Sequence, residues 1–244
     1  MKKNYLKFIL IFILFTLYFI IEKLINNNIF SLIARLLLII ISIYLIKKDN
    51  KKRNINDISI NRKHLYYLII PLMLNYVSSM GKIDISLPIV SIIVSLVNIL
   101  TIVSLEELVF RGISFLYIAN KYDELSKKDI IFISLLYAFY GMSGVIFDLS
   151  LFTNYIMQGI SYYILGYTML SIYLNCHNMY LLVSYHFVFN FIPEIFKMVS
   201  ANPSAYGNII FYMSFILIQM SFVLISKYIL KDTKNYEEYN EEKH

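Results

Sequence analysis

The sequence has little of what a soluble or disulfide-bonded protein needs. Only 16% of its 244 residues are charged, whereas soluble domains average about 25%. Its one cysteine, Cys176, excludes an intrachain disulfide framework and a multi-cysteine metal site. Hydrophobic residues make up 59% of the chain. This balance predicts an integral membrane protein with the lipid bilayer as its first partner.

The net charge of +6 does not predict a nucleic-acid partner, because the basic residues cluster in loops beside apolar runs. The first 25 residues have the basic start of a signal peptide. Their apolar run is too long for one, and no small-residue cleavage site follows. We therefore expect this segment to be the first membrane span.

Eight apolar runs approach the length of about 20 residues that a helix needs to cross a bilayer. They lie near 4–25, 29–46, 65–80, 88–119, 130–147, 155–175, 179–197 and 208–230. The predicted fold is all-α, a polytopic membrane bundle of about eight transmembrane helices. We expect a single domain over 1–230 and a charged, solvated tail over 231–244.

The distribution of lysine and arginine predicts the orientation of these spans. The loop 47–64 carries seven of these residues against two aspartates, which is typical of a cytoplasmic loop. Counting spans from this loop places both termini in the cytoplasm, and the nearly uncharged loops outside. We expect the membrane to be a bacterial cell membrane.

Three charges interrupt one apolar run, in the segment "SLEELVFRG". Each charge near the bilayer centre costs roughly 2.5–3.5 kcal/mol on insertion scales. Glu107 and Arg111 are four residues apart and share a helix face, so they can pair. Glu106 projects about 100° away from Glu107 and needs another partner. The charges therefore form either a functional site or a structural ion-pair network.

A second span carries His186 and, four residues later, Asn190 on the same helix face. A buried histidine is often only a hydrogen-bonded core residue. Here, however, the distance along each span places the two residues at about the depth of Glu106 and Arg111. Two spans would then bring a candidate base, a histidine and an amide donor into one slab of the membrane. We expect this polar cavity to open toward the cytoplasmic half.

The motifs "EELVFR" at 106–111 and "HFVFN" at 186–190 resemble those of the CPBP (CAAX protease and bacteriocin-processing, or Abi) family. The family pattern is EExxxR, then FxxxH, then HxxxN or HxxxD. The resemblance covers about 90–195 and implies an intramembrane endopeptidase that acts on a membrane-associated peptide or protein. It implies Glu106 as general base, with His186 and Asn190 stabilising the oxyanion. Glu107 and Arg111 would orient the site or the substrate.

The second motif departs from the family pattern. By position Tyr137 stands for the phenylalanine and Gly141 for the histidine, and no histidine lies between 65 and 176. Half of the water-activating pair that the family implies is therefore absent. We expect glycine to leave room there, so that Gly141→His raises turnover by about 10-fold or more if the chain is a weakened protease with an otherwise intact site. If the parent is active and this histidine abolishes the activity, Tyr140 or an ordered water is the expected activator instead.

We expect no cofactor, and a metal is not favoured. Zinc usually takes three protein ligands from histidine, cysteine or carboxylates, and one histidine and two adjacent glutamates are the only good ligands in these spans.

Two functions remain open. The first is a working peptide-bond hydrolase. The second is a catalytically weakened family member that binds a peptide or protein, as a bacteriocin-immunity or regulatory factor. A transporter is disfavoured, because no internal repeat is visible.

Overall fold

The computed structural model describes residues 4–49, 68–69, 71–72, 88–119, 125–147, 152–176 and 178–195, together with Leu217 and Met220. All elements bounded in these ranges are helical, so the all-α class is confirmed. They are α1 (Tyr5–Ile25), α2 (Asn28–Asp49), α3 (Ile89–Glu107), a π-helical segment (Leu108–Ile113), α4 (Ser114–Ile118), α5 (Lys127–Gly141), a 3₁₀ turn (Met142–Ile146), α6 (Phe152–Cys176) and α7 (Met179–Ile195).

Two asparagines form the turn between α1 and α2. Asn26 ends α1 in the left-handed conformation, with φ of 47°, which asparagine adopts more readily than most residues. The side-chain oxygen of Asn27 accepts hydrogen bonds at 3.1 Å from the backbone N–H groups of Ile29 and Phe30. These caps stop one helix and start the next, so α1 and α2 form a helical hairpin.

Four of the described helical stretches are long and apolar enough to cross a membrane: Tyr5–Ile25, Asn28–Lys48, Ile89–Ile118 and Lys127–Ile146. Large apolar side chains point outward from the first two, with Leu14 67% and Ile40 63% exposed. Outward-facing rows of this kind are typical of lipid contact and rare on soluble monomers. The chain is therefore an integral membrane protein.

The predicted count of about eight spans is not confirmed. The predicted spans 65–80 and 208–230 lie almost wholly outside the described residues. Helix α6 has the length to cross a membrane, but its five tyrosines lower its hydropathy. The apolar part of α7 covers only Met179–Ile192.

The π-helical segment joins α3 to α4 in one continuous rod over Ile89–Ile118, as the predicted span 88–119 requires. It begins directly after Glu107 and contains Arg111. Short π segments inside α-helices occur frequently at functional sites. The π-helical segment therefore lies at the charged motif.

An aromatic cluster packs the rod against α1 and α5. The ring centroid of Phe110 lies 6.0 Å from Phe12, 5.7 Å from Phe15 and 4.7 Å from Tyr137, all edge-on. Edge-to-face pairs add roughly 0.5–1.5 kcal/mol each to the burial of the rings. On the other side of the rod, α3 packs against α2 and α7, while α5 packs along α6. This packing brings α3, α5 and α7 together around the charged motif.

Candidate active site

The carboxylate of Glu106 accepts two phenol hydrogen bonds from α5. The hydroxyl of Tyr140 donates to Oε1 at 2.7 Å, and that of Tyr137 donates to Oε2 at 3.0 Å. The two tyrosines are three residues apart and therefore lie on one face of the helix. Glu106 was expected to need a partner other than Arg111, because its side chain projects away from that of Glu107, and the two tyrosines are such partners.

His186 lies between the two glutamates. Its Nδ1 is 2.8 Å from Oε1 of Glu107, and its Nε2 is 3.6 Å from Oε2 of Glu106. The hydroxyl of Tyr137 lies 3.5 Å from the same Nε2. One imidazole thus connects α7 to both carboxylates of α3, and its Nε2 faces the same oxygen that Tyr137 binds.

Arg111 completes the cluster from the π-helical segment. Its guanidinium donates to Oε1 of Glu107 at 3.0 Å and to the backbone oxygen of Gly166 at 3.5 Å. Its Cζ lies 4.7 Å from the centre of the Tyr137 ring, a cation–π distance. Arg111 therefore joins the rod to α5 and α6 as well as to the neighbouring glutamate.

The cluster is closed to the surroundings. Glu106 is 4%, Glu107 0%, Arg111 1% and His186 2% exposed. Charges buried to this degree need partners, because the desolvation cost of each is several kcal/mol. Among the described residues, Glu107 Oε2 and Arg111 Nε have no hydrogen-bond partner, so the network retains polar capacity at its centre.

The structure brings together four of the five predicted site residues: Glu106, Glu107, Arg111 and His186. Asn190 lies one turn beyond His186 and is only half-buried. In the described part of the chain it makes no hydrogen bond to the other four. The catalytic roles of all five stay predictions.

Gly141 does not leave the room that the sequence pattern predicts. A β-carbon added there would meet the ring of Tyr162, with the two Cδ atoms at 2.7 and 2.8 Å. The expectation that glycine leaves space for a histidine side chain at position 141 is therefore wrong, while the effect of Gly141→His on turnover stays untested. An aromatic side chain from α6 fills the space in which an imidazole would start, and glycine permits the close contact of α5 with α6.

Gly141→Ala is expected to destabilise the folded protein by about 1–3 kcal/mol, because overpacking a tight contact displaces neighbours. The matched control is Gly112→Ala, whose added carbon would meet the flexible side chains of Ile46 and Met179 rather than an aromatic ring. Denaturation in detergent compares the two. Equal stability of both variants would contradict the tight contact at Gly141.

The tyrosines of α5 are the part of the site that the sequence pattern identifies least well. Tyr140 was expected only as a substitute for the missing histidine, and Tyr137 only as the counterpart of the family phenylalanine. Both contact Glu106. Their spacing of three residues in an apolar helix was the available signal, but polar tyrosine heads occur throughout this chain.

A polar cavity of about 400 Å³ lies beside the cluster. The turn between α1 and α2, the 3₁₀ turn and α6 line it, and Tyr140 forms part of its inner wall. The α1–α2 turn is at the end of the bundle that the lysine and arginine pattern assigns to the outside. The membrane orientation is itself a prediction, so the expected opening of a polar cavity toward the cytoplasmic half stays a prediction as well.

In the described part of the chain, no group of three His, Cys, Asp or Glu side chains is arranged to hold a metal ion. Both nitrogens of His186 already face carboxylate oxygens. The expected absence of a metal stays a prediction.

The fold and the site define a class: a helical membrane protein with a buried glutamate–histidine–arginine cluster contacted by phenol hydroxyls. Residues 88–192 match the model of one family, described as type II CAAX prenyl endopeptidase Rce1-like. The resemblance that the two motifs carry is thus confirmed for this segment, which contains the whole cluster. The match does not favour the alternative of a bacteriocin-immunity or regulatory protein. No curated protein and no solved structure shows significant similarity to the chain.

Proposed function

We propose that the protein is an intramembrane endopeptidase that hydrolyses a peptide bond of a membrane-associated peptide, with Glu106 as general base. The observation that carries the proposal is the environment of this carboxylate. It is buried, oriented by two phenols and 3.6 Å from His186 Nε2, within the segment that matches a family of membrane endopeptidases.

In the proposed reaction, a water molecule bound at Glu106 attacks the carbonyl carbon of the scissile bond. The water gives one proton to the Glu106 carboxylate as its oxygen forms the new C–O bond. The resulting oxyanion is stabilised by an N–H of His186, with Asn190 as a candidate second donor one turn further along α7. Glu106 then returns the proton to the leaving nitrogen as the C–N bond breaks.

The other members of the cluster position these groups. Glu107 binds both Arg111 and His186 through one oxygen, so it sets the orientation of the imidazole. Arg111 neutralises that carboxylate and ties the rod to α6. Catalytic geometry of this kind depends on partners that fix the rotamers of the reacting side chains.

Tyr140 and Tyr137 take the place of the missing second-motif histidine. Each donates to a different oxygen of Glu106, so together they fix the plane of the carboxylate. One of these donors also binds the attacking water beside the carboxylate. Tyr140 is the better candidate, because its ring lines the cavity from which water and peptide can enter.

Tyr140→Phe is expected to lower turnover by about 10- to 100-fold, the worth of one hydrogen bond to a charged group. The matched control is Tyr185→Phe, since the buried hydroxyl of Tyr185 has no partner among the described residues. Cleavage rates of both variants are compared with the parent. An undiminished rate for Tyr140→Phe would remove this hydroxyl from the mechanism.

The proposed substrate lies at the membrane. The site lies within the membrane-spanning rod Ile89–Ile118, so the substrate is a peptide or protein held at the bilayer. The lysine-rich loops support an orientation with both termini in the cytoplasm, and the membrane proposed for the protein is that of a bacterial cell.

The test is cleavage of a membrane-embedded peptide library by the purified protein in lipid nanodiscs. Mass spectrometry identifies the products, and Glu106→Gln is the control protein. New peptide ends that form with the parent and not with the control support the endopeptidase. Absence of cleavage by the parent across the library would overturn it.

A further inference from the structure

The cavity beside the cluster contains an ion pair that the proposed mechanism does not use. Arg35 of α2 donates through Nε to Oε2 of Glu22 at 3.2 Å and forms an ion pair through NH2 with the other oxygen. Both side chains are buried, and both line the cavity. A buried ion pair on the wall of a cavity is either structural or part of a binding site. A pair that binds a ligand must keep N–H donors or oxygen acceptors that its own partner does not use.

Arg35 keeps such capacity. A guanidinium has five N–H donors in a planar fork, and Glu22 takes one from Nε and one from NH2. The NH1 contacts with the backbone and side-chain oxygens of Asn98 are both 3.5 Å, at the limit of a hydrogen bond. Glu22 therefore orients the fork and neutralises it, while the guanidinium can still donate to a ligand in the cavity.

The charge of the cavity points to an anionic ligand. Lys23 also lines it, with Nζ 4.5 Å from the centre of the Phe147 ring at the 3₁₀ turn. Counting Lys23 and Arg35 against Glu22, the lining carries a formal charge of +1. The other polar groups are uncharged amides and hydroxyls, including Gln158 and Ser143. A single carboxylate on a polar peptide segment would match both the charge and the donors.

Tyr140 connects this cavity to the candidate base. Its ring lines the cavity, while its hydroxyl donates to Glu106 at 2.7 Å. A ligand in the cavity is thus separated from Glu106 by one side chain. The volume of about 400 Å³ lies in the range of pockets that accept small ligands or short segments.

We propose that this cavity is a substrate-binding subsite, in which Arg35 and Lys23 bind a carboxylate on the polar end of the peptide that Glu106 cleaves. The inference rests on the proposed function, because it names part of the substrate of the same site. It adds a residue pair outside the matched segment 88–192 to the binding machinery.

The experiment uses two versions of one membrane-spanning peptide, with a free C-terminal carboxylate or a C-terminal amide. Their dissociation constants are measured for the full chain carrying Glu106→Gln, in nanodiscs of zwitterionic lipid, so that binding is separate from turnover. The carboxylate peptide is expected to bind about 10-fold more tightly or better, the worth of one charge-assisted hydrogen bond.

Two variants test the residues. Lys23→Gln changes an exposed side chain, and Glu22→Gln with Arg35→Gln replaces the ion pair by a neutral pair without leaving a buried charge alone. Each is expected to reduce the preference for the carboxylate. The matched control is Lys47→Gln, an exposed lysine at the other end of α2, which is expected to retain the full preference. If the double variant does not fold, Lys23→Gln still decides the question.

The outcomes separate this inference from the proposed function. If the preference is present and lost in Lys23→Gln while the parent chain cleaves nothing, the cavity binds a peptide carboxylate but the endopeptidase falls, and with it the role of the cavity as a substrate subsite. If the parent cleaves both peptides and binding shows no preference, the subsite falls and the endopeptidase stands. Retention of phosphatidylglycerol by the parent but not by Lys23→Gln, with no peptide preference, would assign the cavity to a lipid headgroup and overturn the inference.

Discussion

Glu106→Gln is expected to lower the rate of peptide cleavage by about 10²–10⁴-fold, the contribution of a positioned general base. Glutamine has nearly the same shape, but its amide cannot take a proton from water. The substitution also replaces one acceptor by a donor, so Tyr137 or Tyr140 loses its partner. The loss should therefore appear in the chemical step, and single-turnover measurements at saturating peptide would record it.

The neighbouring residue provides the control. Glu107 binds Arg111 and His186, so Glu107→Gln leaves a buried guanidinium without its carboxylate and is expected to destabilise the fold. Glu106→Gln removes a buried charge that has no guanidinium partner, and the variant should therefore lose less stability than Glu107→Gln. Cleavage at the parent rate by a folded Glu106→Gln protein would exclude Glu106 as the base.

The sequence predicts that the two glutamates have different partners, because the direction of each side chain on a helix follows from its position in the sequence. Adjacent residues on a helix diverge by about 100°, so only Glu107 can reach Arg111 one turn later. The structure adds that the turn is π-helical, yet the pair still forms at 3.0 Å. The partners of Glu106 come from another helix, and a single sequence does not reveal which face of α5 meets α3.

Gly141 shows why the second motif could not be interpreted from the sequence. A glycine in a helix can mark either an empty space or a close contact, and the pattern is the same for both. The distinction depends on Tyr162 of α6, whose ring lies where a side chain at 141 would begin. The interhelical packing, rather than the motif, decides what this position can accept.

The ion pair between Glu22 and Arg35 was missed for a related reason. Neither residue belongs to a motif, and Glu22 lies close to the end of the first predicted span, 4–25. The short turn over 26–27 brings the two helices together, and opposite charges on adjacent spans were the available signal.

The number of spans counted from hydropathy has a similar limit, since the tyrosines of α6 count as polar although their rings can pack in a bundle.

Arg111→Ala is expected to lower the free energy of unfolding by about 3–5 kcal/mol, the cost of leaving a buried charge without its partner. Arg111 is 1% exposed and contacts Glu107, the backbone oxygen of Gly166 and the ring of Tyr137. Alanine removes all three contacts and leaves a cavity between α3, α5 and α6. Thermal or denaturant unfolding in detergent, together with abundance in the membrane, measures the effect.

Arg111→Lys separates the charge from the geometry of the guanidinium. An ammonium at the end of a flexible chain can neutralise Glu107, but it cannot reproduce the planar fork that also reaches the oxygen of Gly166. We therefore expect Lys to recover part of the stability lost in Arg111→Ala, and less of any cleavage activity, because His186 depends on the position of Glu107. If Arg111→Ala instead unfolds at the same denaturant concentration as the parent while cleavage is lost, Arg111 does not stabilise the bundle. Its guanidinium would then act on the substrate, and Glu107 would require His186 alone as its partner.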